Sequence, residues 1–289
     1  MTDTHARLAE FYGFGGTAPP THRWVQSASA NHVNGLIWKA APAELLFVHD
    51  LGDSAHSWDG IAMHLDRPLV AIDLPGHGQS SAAKPGSFSP AKTAAGLLDA
   101  IQSFAPAASA IVATGFGAAV AVHAANRRPA LFRSLVILDG SPGASGIGPL
   151  IDDDGFDDLD SVIERIRVLS PERPPAVTAN AAATATREVG TRLVWRYQLG
   201  PVGPETEDGL PSWAATMTSV ARPPIPLTII AADASRPNDP LVRAMIERWH
   251  DIETVSIGGP STDLQARSPG LVADAIRGII GDADRLESP

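Results

Sequence analysis

The chain has 289 residues, 44% of them apolar, enough for one large core with an insertion. Its net charge of −10 argues against nucleic acid or an anionic membrane as partner, because both need clustered Lys and Arg. No cysteine occurs, which excludes disulfides, thiolate catalysis and cysteine-ligated metal.

The opening MTDTHARLAEFYGFGG has no basic stretch ahead of an apolar run. No window offers about 18 apolar residues without a charge. The sequence therefore predicts a soluble, cytoplasmic protein whose partner is a small-molecule ligand or substrate.

After a polar leader containing Gly and Pro, residues 24–29 and 32–39 alternate loosely in the manner of half-buried strands. An asparagine-containing turn between them predicts an antiparallel edge hairpin. From Glu44 the pattern changes to short apolar runs: ELLFVHD, PLVAIDL, ASAIVATG, SLVILDG, PLTIIAAD and ETVSIGG. Such runs mark strands buried on both faces, and the segments between them supply crossover helices. Ser89-Pro90 and Ser268-Pro269 both read as helix starts, with serine as cap and proline in the first turn. The alternation predicts an α/β fold with a mainly parallel, doubly wound sheet, whose ligand site lies at the C-terminal edge of the strands.

Residues 141–222 break this alternation, and the simplest reading is a helical cap inserted into a core formed by 1–140 and 223–289. The cap opens with Gly and Pro and then carries Asp152, Asp153, Asp154, Asp157, Asp158 and Asp160. A calcium loop needs a fixed alternation with a glycine turn and a distal Glu, which DDDGFDDLD does not supply, so the acidic run reads as solvated surface. Trp195, Tyr197 and Trp213 are expected to pack the cap on the core or to line an apolar pocket.

From Leu45 to Pro142 the chain resembles the α/β-hydrolase superfamily. FVHDLGDSAHSW resembles the family's strand and oxyanion loop, AIDLPGHGQS the next strand and turn, and IVATGFGAAVAVHAANRRP the nucleophile elbow with its helix. The resemblance implies that Asp73, Gly76, Gly78 and Ser80 shape a turn beside the site. It also implies that the backbone N–H groups of Leu51 and Phe116 are the oxyanion donors.

The chain departs from the family pattern at each position of the catalytic triad. The elbow's G-x-S-x-G is here Ala113, Thr114, Gly115, Phe116, Gly117. Gly115 can neither attack a carbonyl nor hold an acyl group, while glycine tolerates the unusual dihedrals of the turn. Ser235 stands at the position of the acid, with Asp233 and Asp239 as nearby substitutes, and Thr262 at that of the histidine. The family also follows its strand-end histidine with glycine, whereas His49 is followed by Asp50. A carboxylate there opposes a developing oxyanion, yet partial burial would raise its pKa into the range of a working acid or base.

Asp50 and His49 are thus the candidate catalytic residues, and Leu51, Gly115, Phe116, Asp139, Ser235 and Thr262 the candidate pocket. Asp50 has a second reading, as a cap of the N–H groups near Asp53, and His49 a second as a loop brace. His56, His77, His123 and His250 read mainly as structural, and Asp139 as a relocated acid or a turn residue. No metal-ligand spacing, P-loop or dinucleotide fingerprint is present, so neither metal nor organic cofactor is expected.

Three functions are compatible with this set. The first is a cofactor-independent lyase, isomerase or cyclase acting on a small apolar or carbonyl-containing molecule. The others are a non-catalytic binding module, and a hydrolase with a rebuilt catalytic set.

Overall fold

The computed structural model describes residues 2–27, 32–82, 89–139, 155–197 and 219–286. Trp213 and Asp152 to Asp154 lie outside the described residues.

The apolar runs all form strands: β3 (Leu45–Val48), β4 (Leu69–Ile72), β5 (Ala110–Thr114), β6 (Leu135–Leu138), β9 (Leu227–Ala231) and β10 (Glu253–Ser256). With the edge hairpin of β1 (Thr21–Gln26) and β2 (His32–Trp38) they make a sheet in the order β1-β2-β4-β3-β5-β6-β9-β10. The β1/β2 and β2/β4 pairs are antiparallel, and every later pair is parallel.

Period-two alternation sends neighbouring strand residues to opposite faces. In β3, Leu46 and Val48 join the cluster under α3 (Pro90–Phe104) and α4 (Gly115–Arg127). Leu45 and Phe47 join the one under α2 (Asp59–Leu65) and the C-terminal helix, α9 (Pro269–Leu286). Each fully buried Leu or Phe contributes roughly 1.5–3 kcal/mol, so the sheet holds the C-terminal ends of its strands in fixed register. At α3 the expected cap is present, with Pro90 at the first turn and the Lys92 N–H donating to Ser89 Oγ at 3.3 Å.

Two features differ from the sequence reading. The leader folds into α1 (Thr2–Phe11), which buries Leu8 and Ala9; its largely polar composition made it read as a leader. The segment read as a helical cap holds α5 (Leu159–Leu169) and α6 (Pro175–Ala185), but also an antiparallel hairpin of β7 (Thr186–Val189) and β8 (Arg192–Trp195). Gly190 opens that two-residue turn with φ 62°, a Gly-first hairpin signal that the sequence carried. Trp195 packs with Phe156, Val162 and Ile166 inside this unit, so it serves the unit's own core.

Candidate functional site

The loops after β3, β5, β6 and β9 emerge side by side because those strands are neighbours in the sheet. That topology brings Asp50, Gly115, Asp139 and the 232–239 loop to one edge.

Gly115 opens α4 directly after β5 with φ 49°, a left-handed value that glycine adopts without penalty. The residues after it have turned into the helix, so the Phe116 N–H is one of the unpaired donors of a helix N-terminus. It donates to Asp50 Oδ1 at 2.6 Å. The Leu51 N–H donates to the same oxygen, also at 2.6 Å. The two oxyanion donors implied by the resemblance therefore converge as expected, but on the chain's own carboxyl group. A Cβ built on Gly115 would overlap that carboxyl. Asp50 occupies the space of an elbow side chain.

Asp50 stands beside the Leu51 and Phe116 donors, as its acid–base reading placed it, but inside the elbow, 8% exposed, and its carboxyl caps those two N–H groups, not the ones near Asp53. Burial raises its pKa to about 6, against the two N–H bonds that lower it.

His49 is not available for proton transfer. The Leu74 N–H donates to its Nε2 at 3.0 Å, so Nδ1 carries the proton and donates to the Asp50 carbonyl at 2.6 Å. Burial depresses its pKa to about 4. Its candidate catalytic role is thus replaced by a brace between the β3 and β4 ends. His77 is likewise buried, accepting from the Gly52 N–H at 3.0 Å.

Ser235 does not take the place of the acid. It is exposed, and its Oγ and N–H both donate to the exposed Asp233. The acidic group that does reach this edge is Asp239, 4% exposed, whose carboxylate caps α7 (Pro240–Arg248) by accepting the Leu241 N–H at 2.8 Å. Asp139 holds that loop, accepting the N–H groups of Asn238 and Asp239 at 2.8 Å each. Burial, then the Asp50 charge, pushes Asp239 to about 7. Thr262 stays in its own loop, where its Oγ1 accepts from Arg267 at 3.1 Å.

The sequence reading missed a buried polar group beside this edge. Arg173, just ahead of α6, donates from Nε to Asp263 Oδ2 at 2.8 Å, with both side chains nearly buried. Asp263 has φ 53°, an uncommon value for a residue with a side chain, and starts α8 (Leu264–Arg267). On the other side His56 Nδ1 lies 2.9 Å from Asp59 Oδ2, which also accepts from Asn180 Nδ2 at 3.0 Å. The i,i+3 spacing of His56 and Asp59 was visible in AHSWD; Arg173 and Asn180 had no local signal, being far away in the chain. Asp53 completes the group, pushed by burial to about 7. Among the described residues no group of three or more His, Asp or Glu side chains is set to hold a metal ion. No helix among them is long and apolar enough to cross a membrane.

Asp73 has the structural place that the resemblance implies. It accepts the Asn34 amide at 2.7 Å and the N–H groups of Ala55 at 2.7 Å and Gln79 at 2.9 Å.

Comparisons with known proteins agree with this architecture. The chain is 32% identical to esterase Rv0045c of Mycobacterium tuberculosis (strain ATCC 25618 / H37Rv) over 139 residues, 48% of this chain and 45% of that protein. It is 34% identical to lipase LipV of the same organism over 108 residues, 37% of this chain and 41% of that one. The chain thus spans under half the length of either curated relative. The solved structure of the M. tuberculosis esterase Rv0045c superposes with a TM-score of 0.75 at 22% identity, covering 96% of this chain and 97% of that one, a likeness of fold. The model of the alpha/beta hydrolase family matches residues 45–274, and the chain belongs to that family.

Proposed function

We propose that this chain is a cofactor-independent, non-hydrolytic enzyme of the alpha/beta hydrolase family. In this reading Asp50 serves as the acid–base group, on a small carbonyl-containing molecule, for a lyase, isomerase or cyclase reaction. One observation carries the proposal: Asp50 Oδ1 accepts both N–H groups that would otherwise stabilise an oxyanion.

Acyl transfer through a tetrahedral intermediate needs those donors aimed at the substrate's oxygen. With a carboxyl seated on them, and no side chain at residue 115, acyl-enzyme chemistry has neither its nucleophile nor its stabiliser. Proton transfer needs neither. The donors fix Oδ1, and Oδ2 is the oxygen that exchanges a proton with a substrate carbon or oxygen. A pKa of about 6 leaves both protonation states populated near neutrality.

A hydrolase with a rebuilt catalytic set is the second reading, favoured by the names of the curated relatives, an esterase and a lipase. In it Asp50 activates water. A binding protein is the third, favoured by the donors being already satisfied.

One experiment separates them. The purified protein and its Asp50→Asn variant are incubated with a metabolite extract in 18O-water, and consumed and formed compounds are followed by mass spectrometry. The expected result is a substrate consumed by the wild type, with a rate loss of 10²-fold or more in Asp50→Asn and no 18O in the product. Cleavage into two products that together gain one water, with 18O at a position that does not exchange in a heat-denatured control, sinks the non-hydrolytic reading in favour of the hydrolase. A compound bound and returned unchanged leaves the binding protein.

A further inference from the structure

Below α6, a cavity of about 30 Å³ lies between the inserted segment and the core, room for one or two water-sized groups. Asp53, Asp59, Asp263, His56 and Arg173 are among its lining residues. Hydrogen bonding within it is unbalanced. Arg173 is committed to Asp263. His56 is committed to Asp59; burial alone lowers its pKa, but the Asp59 carboxylate outweighs that and raises it, favouring the imidazolium. Burial favours the protonated form of Asp53, and a cation bound beside it would displace that proton.

The imbalance sits on Asp59. Asp59 is 1% exposed, and while its Oδ2 accepts from His56 and Asn180, its Oδ1 is buried without a hydrogen-bond partner among the described residues. A carboxylate oxygen left so is costly, by more than a neutral group. It calls for a donor, preferably a charged one.

We propose that this cavity is a binding site for a primary ammonium group, which donates to Asp59 Oδ1 beside Asp53. The volume suits –NH3⁺ with at most a methyl stem and excludes a quaternary ammonium. The Asp53 N–H donates to the Asp50 carbonyl at 3.2 Å, so the cavity and the elbow share one loop. The binding rests on the cavity's own residues and not on the reading of Asp50 above.

The probe is methylammonium chloride, compared with sodium chloride and tetramethylammonium chloride at equal ionic strength. Thermal unfolding is followed for the wild type, Asp59→Asn and Asp50→Asn. Methylammonium alone is expected to raise the wild-type Tm, by roughly 3 °C near ten times its Kd. The rise disappears in Asp59→Asn and persists in Asp50→Asn, so that failure of the Asp50 reading leaves this result intact. Crystals soaked in methylammonium provide a measurement independent of whether Asp59→Asn folds, with two-atom density expected against Asp59 Oδ1. No methylammonium-specific rise in the wild type, a rise that survives Asp59→Asn, or a soaked crystal with water alone at Oδ1 would each overturn the proposal.

Discussion

A serine introduced at residue 115 meets the Asp50 carboxyl, because the Cβ position of Gly115 falls on it. Gly115→Ser must therefore displace Asp50 from the Leu51 and Phe116 N–H groups or distort the elbow, at a cost of about 1–3 kcal/mol. Asp50→Gly vacates the space, and the pair Asp50→Gly/Gly115→Ser is expected to recover most of that cost. Urea unfolding of the four members of the cycle measures a coupling of about 1–3 kcal/mol. Additive effects would mean that the two residues do not compete. Both departures from the family pattern were legible in the sequence, each by itself. That the Asp50 carboxyl fills the volume beside Gly115 was not legible, because nothing in either local stretch records the distance between β3 and β5.

At the scale of elements, the Arg173–Asp263 pair ties the stretch before α6 to the start of α8. Its side chains are only 6% and 11% exposed, so removing one partner leaves the other charge buried without its pair. Arg173→Ala is expected to destabilise the chain by about 3–5 kcal/mol, while Arg173→Met with Asp263→Asn, which removes both charges, costs less. Calorimetric Tm values for the two variants decide it, and equal losses would show that packing outweighs charge. The elements themselves divide by how local their signals are. The six apolar runs and the capped start of α3 carry their signals within ten residues, and they fold as the sequence predicts. Helix α1 and the β7/β8 hairpin were missed, the first because tertiary contacts of Leu8 and Ala9 stabilise a largely polar helix. In the second, a Gly-first turn lay inside a segment already read as helical.

The whole molecule responds to pH through groups that oppose one another. Asp50, Asp53 and Asp239 have pKa values raised by burial to about 6, 7 and 7. Above the unfolded carboxylate value the folded chain keeps these protons longer than the unfolded one, so stability falls as pH rises through each folded pKa. His49 and His77 are depressed by burial, to about 4 and about 3. They act the other way, adding stability as pH rises toward the ordinary histidine value. Between about pH 5 and 6 three carboxyls outweigh two histidines by about one proton, so stability falls by about 1 kcal/mol per pH unit. Above the ordinary histidine value of about 6.5 the histidine contribution is complete, while Asp53 and Asp239 go on withdrawing stability until pH passes their folded values. The Tm should therefore fall by a few degrees from pH 5 to 8, with a shallower fall in Asp239→Asn. A Tm that rises across pH 6 to 8 would contradict the assignment.

The sequence by itself determined the fold, since strand patterning and the ordered stretches from FVHDLGDSAHSW to IVATGFGAAV are local properties of the chain. It also determined that Gly115 has no side chain to react. Only the tertiary structure decided what stands in that space, how His49 spends both its nitrogens, and that Arg173, Asp53, Asp59 and Asp263 enclose one cavity. Those are matters of distance between segments remote in the chain, and such distances exist only once the sheet has set the strand ends side by side.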